Sequence, residues 1–189
     1  SNFSGWQIAD ADWTARVAKG ARFVSAQNHY SLLERGIEAE VLGSCDRFGL
    51  GMLPFFPLAS GMLTGKYHRN EAPPDGTRLA GMPAERRDDA LSDKVFDRVE
   101  ALDACARDHG HTLLELAIAW LLARPTVTSV IAGATKPEQA AANAAAAGVS
   151  GSSRCTMPIV RASPGSTRAT TAPCSAARRA TGSGNSAQP

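Results

Sequence analysis

The sequence predicts an α/β protein whose strands form a parallel sheet. Helical and strand patterns alternate from residue 6 to residue 147. Two apolar runs, at residues 50–56 and 127–132, have the length of strands buried on both faces, and glycine or proline bounds them. Each predicted strand is followed by a segment of helical periodicity, as parallel strands require. These units indicate either part of an eight-fold barrel or an open doubly wound sheet.

The individual elements can be placed along the chain. Helices are predicted over residues 6–19, 37–48, 92–109, 112–122 and 137–147, and strands over residues 22–26, 50–56 and 127–132. Gly49 is a natural end for the second helix, and Thr112 with Glu115 forms a T-x-x-E capping box at the start of the fourth. Residues 58–90 are too many for a simple connection, so we expect a functional loop or lid there.

Composition limits the possible classes of protein. A chain of 189 residues with 43% hydrophobic residues has room for one domain with a sizeable core. The longest apolar stretch, residues 113–123, is too short to span a bilayer, and the first residues lack the basic and apolar regions of a signal peptide. We therefore expect no membrane partner and a cytoplasmic location. The four cysteines lack metal-ligand spacing, so we expect no metal site and no disulfides.

The composition changes abruptly near Gly148. Residues 149–189 contain five arginines but no acidic residue, whereas residues 1–148 contain 15 basic and 18 acidic residues. The later part also lacks leucine and aromatic residues, so we predict a domain at residues 1–148 and a disordered Arg/Ser/Ala/Pro-rich tail at 149–189. Either a natural linker or a frameshifted reading frame would have this composition. The net charge of +2 averages two unlike parts, so it is no evidence for nucleic-acid binding. We therefore expect no nucleic-acid partner.

Polar segments follow the predicted strands, where β/α folds carry their binding sites. The amides of Asn2 and Gln27 both donate and accept hydrogen bonds, which suits the carboxamide of a nicotinamide ring. Phe55 offers a flat apolar face on which such a ring can stack. His29 lies two residues after Gln27, and the sequence leaves open whether it faces this site or is a structural histidine.

Two further segments suit phosphate groups. One is a turn that combines backbone amides with a cation, as a pyrophosphate cradle requires, and it consists of Leu58, Ser60, Gly61 and Lys66. It is not a P-loop, because three rather than four residues separate its glycines and Tyr67 replaces the Ser/Thr that would bind magnesium. The other, residues 133–135, leaves the N-terminus of the last helix open to an anion, with Gln139 and Asn143 in reach of an adenine.

These segments resemble the cofactor loops of the aldo/keto reductase family. The resemblance covers about residues 1–147, and the strings FPLASGMLTGKY (56–67) and GATKPEQAAAN (133–143) are its most specific parts. It implies the fold of an eight-fold β/α TIM barrel, of which this chain supplies about strands six to eight and their helices. It also implies NADP as the cofactor, with NAD possible, and reduction of aldehydes and ketones by direct hydride transfer without a metal.

The resemblance also implies which residues bind the cofactor. They are Ser1, Asn2, Gln27, Phe55, Phe56, Pro57, Leu58, Ser60, Gly61, Lys66, Gly133, Ala134, Thr135, Gln139 and Asn143. Phe55 stands where many members have Tyr or Trp, and it should still stack. Gln139 stands where some members have an arginine that grips the 2′-phosphate of NADP, so a preference for NADP would depend on Lys136 and Thr135.

The catalytic Asp, Tyr, Lys and His of this family precede the segments quoted above. The resemblance therefore implies that this chain contains no catalytic residue, is inactive by itself, and takes a small carbonyl substrate only as part of the full-length protein. Two alternatives stay open. In the first, the chain is a non-catalytic NADP(H)-binding regulatory or interaction protein, like the channel accessory subunits of the family. In the second, it is a truncated remnant without function.

Overall fold

The computed structural model describes residues 1–149. Within them the helices are α1 (Gly5–Val17), α2 (Val41–Phe48), α3 (Ala84–Ala90), α4 (Asp93–Asp108), α5 (Leu113–Leu122) and α6 (Pro137–Gly148), and the strands are β1 (Ser25–Ala26) and β2 (Gly51–Met52). Two short 3-10 turns occupy Gly36–Glu38 and Ala59–Thr64. The predicted alternation of helices and strands is confirmed. The predicted disordered tail lies outside the described residues.

The sheet is parallel, as predicted. β1 pairs with β2, and Ser25 lies opposite Gly51. Isolated parallel bridges extend this pairing, from His29 to Phe55, from Met52 to residue 127, and from Phe55 to residue 131. Three segments, residues 25–29, 51–55 and 127–131, therefore run side by side in that order. Because they are parallel, their carboxyl ends meet at one edge.

The regular strands are shorter than the sequence predicts. The predicted strand at 22–26 is regular only at Ser25–Ala26, and the one at 50–56 only at Gly51–Met52, while residues 127–132 pair through isolated bridges. Pro54 explains the break in the second strand, because proline cannot donate a ladder hydrogen bond. Hydrogen bonding between the two strand segments resumes after Pro54, where the N–H of Phe55 donates to the carbonyl of Asn28 at 3.1 Å.

Two apolar cores lie among the helices and the sheet. The first joins α1, α2 and α5 to the buried side of the strands, and its buried members are Ile8, Ala26, Tyr30, Val41, Cys45, Leu50, Met52, Leu121 and Val127. The second joins residues 58–82 to α4 and α5, and its buried members are Leu32, Met62, Leu63, Tyr67, Leu79, Phe96, Val99, Leu113 and Ala117. Removal of these side chains from water is the main stabilising contribution to such a fold.

The helix ends follow local sequence signals. At α5 the predicted capping box is confirmed: the N–H of Thr112 donates to the Glu115 carboxylate at 2.8 Å, and the N–H of Glu115 donates to the Thr112 hydroxyl at 3.2 Å. Gly49 ends α2 in the left-handed conformation, at φ 72°. The predicted helix at 37–48 begins later than expected, at residue 41, because the tighter turn Gly36–Glu38 precedes it.

The long segment 58–90 is an ordered part of the fold rather than a plain loop. It begins with the 3-10 turn and contains α3, a helix that the sequence analysis did not predict. Arg69, in its middle, binds three carboxylates of α4: Asp93 at 2.7 Å, Asp97 at 2.6 Å and Glu100 at 3.0 Å. The segment is therefore attached to α4 by ion pairs as well as by the second core.

Residues 1–149 contain neither a helix suited to span a membrane nor a cluster of potential metal ligands. None of the helices between residues 1 and 149 has both the length and the apolar character that crossing a membrane requires. In the same part of the chain, no three His, Cys, Asp or Glu side chains come together in a group that could hold a metal ion.

Candidate cofactor-binding site

The segment at residues 1–3 lies directly beside the end of β1. The backbone N–H of Asn2 donates to the carbonyl of Gln27 at 2.8 Å. One residue further on, the side-chain amide of Asn28 donates to the carbonyl of Phe3 at 3.0 Å. These two hydrogen bonds bring together Asn2 and Gln27, the two predicted carboxamide-binding residues, at the carboxyl edge of the sheet.

The residues after β1 alternate between two faces. Asn28 and Tyr30 are buried, and Tyr30 packs on Trp120 of α5 with ring centroids 5.1 Å apart. Because side chains alternate along an extended chain, Gln27 and His29 point to the opposite face, away from the helices. Both are only partly buried. This face is the one on which a ligand can approach the ends of the strands.

Three aromatic rings, His29, Phe55 and Phe56, form one group at this edge, which we call the aromatic cluster. The His29 and Phe55 rings are stacked, with centroids 5.5 Å apart and planes at 18°. Phe56 meets both rings edge-on, at 5.6 Å from His29 and 5.3 Å from Phe55. Phe56 adopts a positive φ of 51° and is 44% exposed. His29, whose place the sequence left open, thus packs against two of the predicted cofactor-binding residues, Phe55 and Phe56.

The turn after Phe56 folds a cation over its own backbone. Gly61 has a φ of 96°, and a Cβ atom there would lie 2.6 Å from Lys66 Cε and 2.8 Å from Lys66 Nζ. The Gly61 N–H donates to the carbonyl of Leu58 at 2.8 Å, and Ser60 is also left-handed, at φ 57°. The backbone conformation therefore favours glycine at this position, and the end of the flexible Lys66 side chain occupies the space beside it. Pro57, by contrast, is buried.

The N-terminus of α6 lies beyond the third strand segment. Lys136 is its N-cap residue and makes no side-chain capping bond. Pro137 has no N–H, and the N–H of Gln139 donates to the carbonyl of Lys136 at 3.1 Å, so in the first turn the N–H of Glu138 is the one left for an anion. Gln139 accepts hydrogen bonds from Thr135, at 2.8 Å from the backbone N–H and 3.2 Å from the hydroxyl. Gln139 therefore orders the approach to the helix. Gly133 and Ala134 are exposed, and Asn143 is partly buried one turn further along.

One basic residue at this edge was not identified from the sequence. The guanidinium of Arg78, from the long segment, lies 5.0 Å above the Phe56 ring. The local sequence around an arginine in a Gly/Pro-rich loop does not indicate where its side chain lies. Arg78 reaches Phe56 only because the whole segment folds onto the second core. Arg78 and Lys66 are thus two cations close to the predicted cofactor residues.

Tyr30, which follows His29, belongs to a partly buried network of hydrogen bonds. The Tyr30 hydroxyl donates to the Glu38 carboxylate at 2.7 Å, and Arg35 also binds Glu38 at 2.7 Å. Burial and the Glu38 hydrogen bond raise the pKa of Tyr30, so the phenol stays protonated. Burial alone would raise the pKa of Glu38, but the hydrogen bonds from Arg35 and Tyr30 outweigh it and lower that pKa. Tyr30 is therefore a structural donor here.

This architecture defines a class: parallel β/α proteins that bind ligands at the carboxyl ends of their strands. The profile of the Aldo/keto reductase family matches residues 1–153. The chain belongs to the aldo/keto reductase family. The eight-fold barrel is the fold of that family, and the parallel segments and helices described above are consistent with part of such a barrel.

Individual relatives agree with this assignment. The chain is 36% identical over 139 residues to the uncharacterized oxidoreductase YrpG of Bacillus subtilis. The matched segment covers 74% of this chain and 40% of the relative. It is 35% identical over 144 residues to a probable voltage-gated potassium channel subunit beta of Oryza sativa, covering 76% and 44%. The NADH-specific methylglyoxal reductase of Escherichia coli is 33% identical over 137 residues, covering 72% and 41%. The chain thus matches about two fifths of the length of these relatives.

Proposed function

We propose that residues 1–149 form the NADP(H)-binding part of an aldo/keto reductase, corresponding to about strands six to eight of its barrel. The observation that best supports this proposal is the pairing of Asn2 with Gln27 on the same strand-end edge as Phe55. Two amides and an aromatic face at one edge are the groups needed to orient a nicotinamide ring. NAD is a possible alternative cofactor.

The residues at this edge suit the nicotinamide end of the cofactor. The amides of Asn2 and Gln27 would hydrogen-bond the carboxamide and fix the rotation of the ring. Phe55, partly buried and held within the aromatic cluster, would stack on it. When bound, the cofactor supplies the hydride that reduces a carbonyl group. The contribution of these residues is to bind the ring and present one side of it.

The two cation-bearing segments suit the phosphate groups. Lys66 folded over Gly61 provides a positive charge beside a turn of positive-φ residues, which is a suitable cradle for a pyrophosphate. The N-terminus of α6 provides the N–H of Glu138 and the positive end of a helix dipole. Because Gln139 is bonded to Thr135, we propose that Lys136 contacts the 2′-phosphate of NADP. Arg78, which lies against Phe56, is placed to contact the pyrophosphate instead.

For the whole protein we propose reduction of small aldehydes or ketones. Relatives named methylglyoxal reductase and L-glyceraldehyde 3-phosphate reductase support this reaction class. None of the described residues is assigned to proton transfer. Tyr30 is buried and its hydroxyl is bonded to Glu38, and Tyr67 is buried with its hydroxyl bonded to the carbonyl of Ser60. We propose that the family's Asp, Tyr, Lys and His supply that step from a part of the protein other than residues 1–149.

A second candidate is an NADP(H)-binding subunit without turnover. It is favoured by the relatives named as potassium channel beta subunits from rice and Arabidopsis thaliana, both 35% identical to this chain. Both candidates share the same cofactor site. They differ in whether a small aldehyde oxidises bound NADPH.

Calorimetric titration of the 189-residue chain with NADPH tests the shared part of the proposal. We expect saturable binding that Gln27→Ala weakens by about three- to tenfold, the effect of losing one or two hydrogen bonds. Asn70→Gly is a matched control: it removes an exposed amide at a left-handed position, φ 63°, that glycine accepts. A folded chain without NADPH affinity would refute cofactor binding. The two candidates are then distinguished by adding methylglyoxal to the protein expressed from the complete reading frame. Oxidation of bound NADPH indicates the reductase, and its absence indicates the subunit without turnover.

A further inference from the structure

The aromatic cluster contains a histidine that none of the roles proposed above uses. His29 bridges to Phe55 across parallel strand segments, so their side chains lie side by side on one face. Their rings are almost parallel, at 18°, and their centroids are 5.5 Å apart. Stacked rings at this separation attract each other beyond the simple burial of their surfaces.

Aromatic contact, rather than hydrogen bonding at Nε2, holds the imidazole in place. The Nε2 atom of His29 is buried, and it has no hydrogen-bond partner among the residues that the structure describes. The two aromatic contacts, face-on to Phe55 and edge-on to Phe56, are instead well formed. A structural histidine satisfied by polar partners would show the reverse pattern.

The stack restricts the Phe55 ring. His29 covers one of its faces, and Phe56 meets it at 69° with centroids 5.3 Å apart. An unsupported phenylalanine at the end of a strand could rotate about its side-chain bonds. With one face covered and a second ring alongside, rotation of the Phe55 ring is restricted. The face left for a ligand lies on the side of residue 131, the other bridge partner of Phe55, which is 44% exposed.

We propose that His29 is a positioning residue that backs the Phe55 ring and thereby fixes the face on which nicotinamide stacks. This inference rests on the proposed function, because it needs a nicotinamide cofactor at this edge. It assigns His29 no proton transfer and no direct contact with the hydride-carrying atom. Its effect reaches the cofactor only through Phe55.

Comparison of two ligands tests this role. NADPH and 2′-phospho-ADP-ribose share the phosphates and the adenine, but only NADPH carries nicotinamide. Calorimetry on the 189-residue chain should show that His29→Ala binds NADPH about three- to tenfold more weakly while keeping its affinity for 2′-phospho-ADP-ribose. His29→Phe, which keeps the stack and removes the ring nitrogens, should restore the NADPH affinity. His109→Ala, at an exposed histidine after α4, should change neither.

Each outcome decides the matter. Unchanged NADPH affinity in His29→Ala would overturn the positioning role, and so would equal weakening of both ligands, since that indicates general damage to the fold. Loss in His29→Phe equal to that in His29→Ala would overturn the stacking explanation. If His29→Ala does not fold, His29→Gln and His29→Phe provide the same comparison of a ring with a non-ring. A wild-type chain that binds neither ligand would instead refute the proposed function, and with it this inference.

Discussion

The backbone N–H of Asn2 donates a 2.8 Å hydrogen bond to the carbonyl oxygen of Gln27. Residues 25 positions apart in the sequence thus lie side by side at the edge of the sheet, and both carry amide side chains. Because they would hold the same carboxamide group, their contributions to cofactor binding should depend on each other.

We therefore expect the two amides to be coupled in a double-mutant cycle. Asn2→Ala and Gln27→Ala should each weaken NADPH binding, and the double variant should lose less than the product of the two single effects. Titration calorimetry of the four proteins measures the coupling. Independent effects, with affinities that multiply, would contradict a shared carboxamide contact.

Lys136 should distinguish NADPH from NADH. It is an exposed cation at the N-cap of α6, so its removal should weaken NADPH binding by about tenfold, as expected for one hydrogen bond to a charged group. Affinity for NADH, which lacks the 2′-phosphate, should hardly change in Lys136→Ala. Arg86→Ala, at an exposed arginine of α3, is the control. Equal losses for both cofactors would place Lys136 at another part of the ligand.

Gly51 should not tolerate a larger side chain. A Cβ atom there would lie 2.7 Å from both branches of the Thr128 side chain, where β2 meets the third strand segment. We expect Gly51→Ala to lower the free energy of unfolding by about 1–3 kcal/mol through overpacking. In α2, Gly43 has open space around it, so Gly43→Ala should raise stability by about 0.5–1 kcal/mol. Chemical denaturation measures both, and similar changes in the two variants would contradict the assigned contact.

The Glu115 cap should make stability depend on pH in the acid range. Hydrogen bonding from the Thr112 backbone lowers the pKa of Glu115 in the folded protein, with smaller contributions from the Thr112 hydroxyl and His111. The stabilisation is therefore fully present above the unfolded pKa of about 4.3, and it is lost as the pH falls through the lower folded value. Glu115→Gln should flatten the decline of stability between about pH 5 and pH 3.

Chemical denaturation at several pH values provides the measurement for this cap. Glu85→Gln, at an exposed glutamate in the first turn of α3, is the matched control and should leave the decline unchanged. An equally steep decline in the Glu115→Gln protein would show that other carboxylates dominate the acid response.

Much of the fold could be predicted because its signals are local. The capping box at Thr112 and the stop at Gly49 depend on a few neighbouring residues, and both occur in the structure. The parallel arrangement followed from the alternation of patterns. The strand lengths could not be predicted in the same way, because apolar composition does not reveal where a residue such as Pro54 interrupts the hydrogen-bonded ladder.

In the candidate site, too, the features set by local sequence could be predicted and those set by long-range packing could not. Gln27 and Phe55 could be placed near each other from their positions after successive strands. The His29–Phe55 stack and the place of Arg78 depend on strand register and on how segment 58–90 packs, which are long-range properties. Helix α3 was missed for a related reason: its sequence is short and highly charged, and it has no apolar periodicity.

Arg69 gives the long segment a sensitivity to ionic strength. Its three carboxylate partners are 56–84% exposed, so dissolved ions screen these attractions effectively. The same segment carries Lys66 and Arg78, two cations of the proposed site. Added salt therefore acts at this site twice, by shielding phosphate groups from the cations and by loosening the attachment of the segment that presents them.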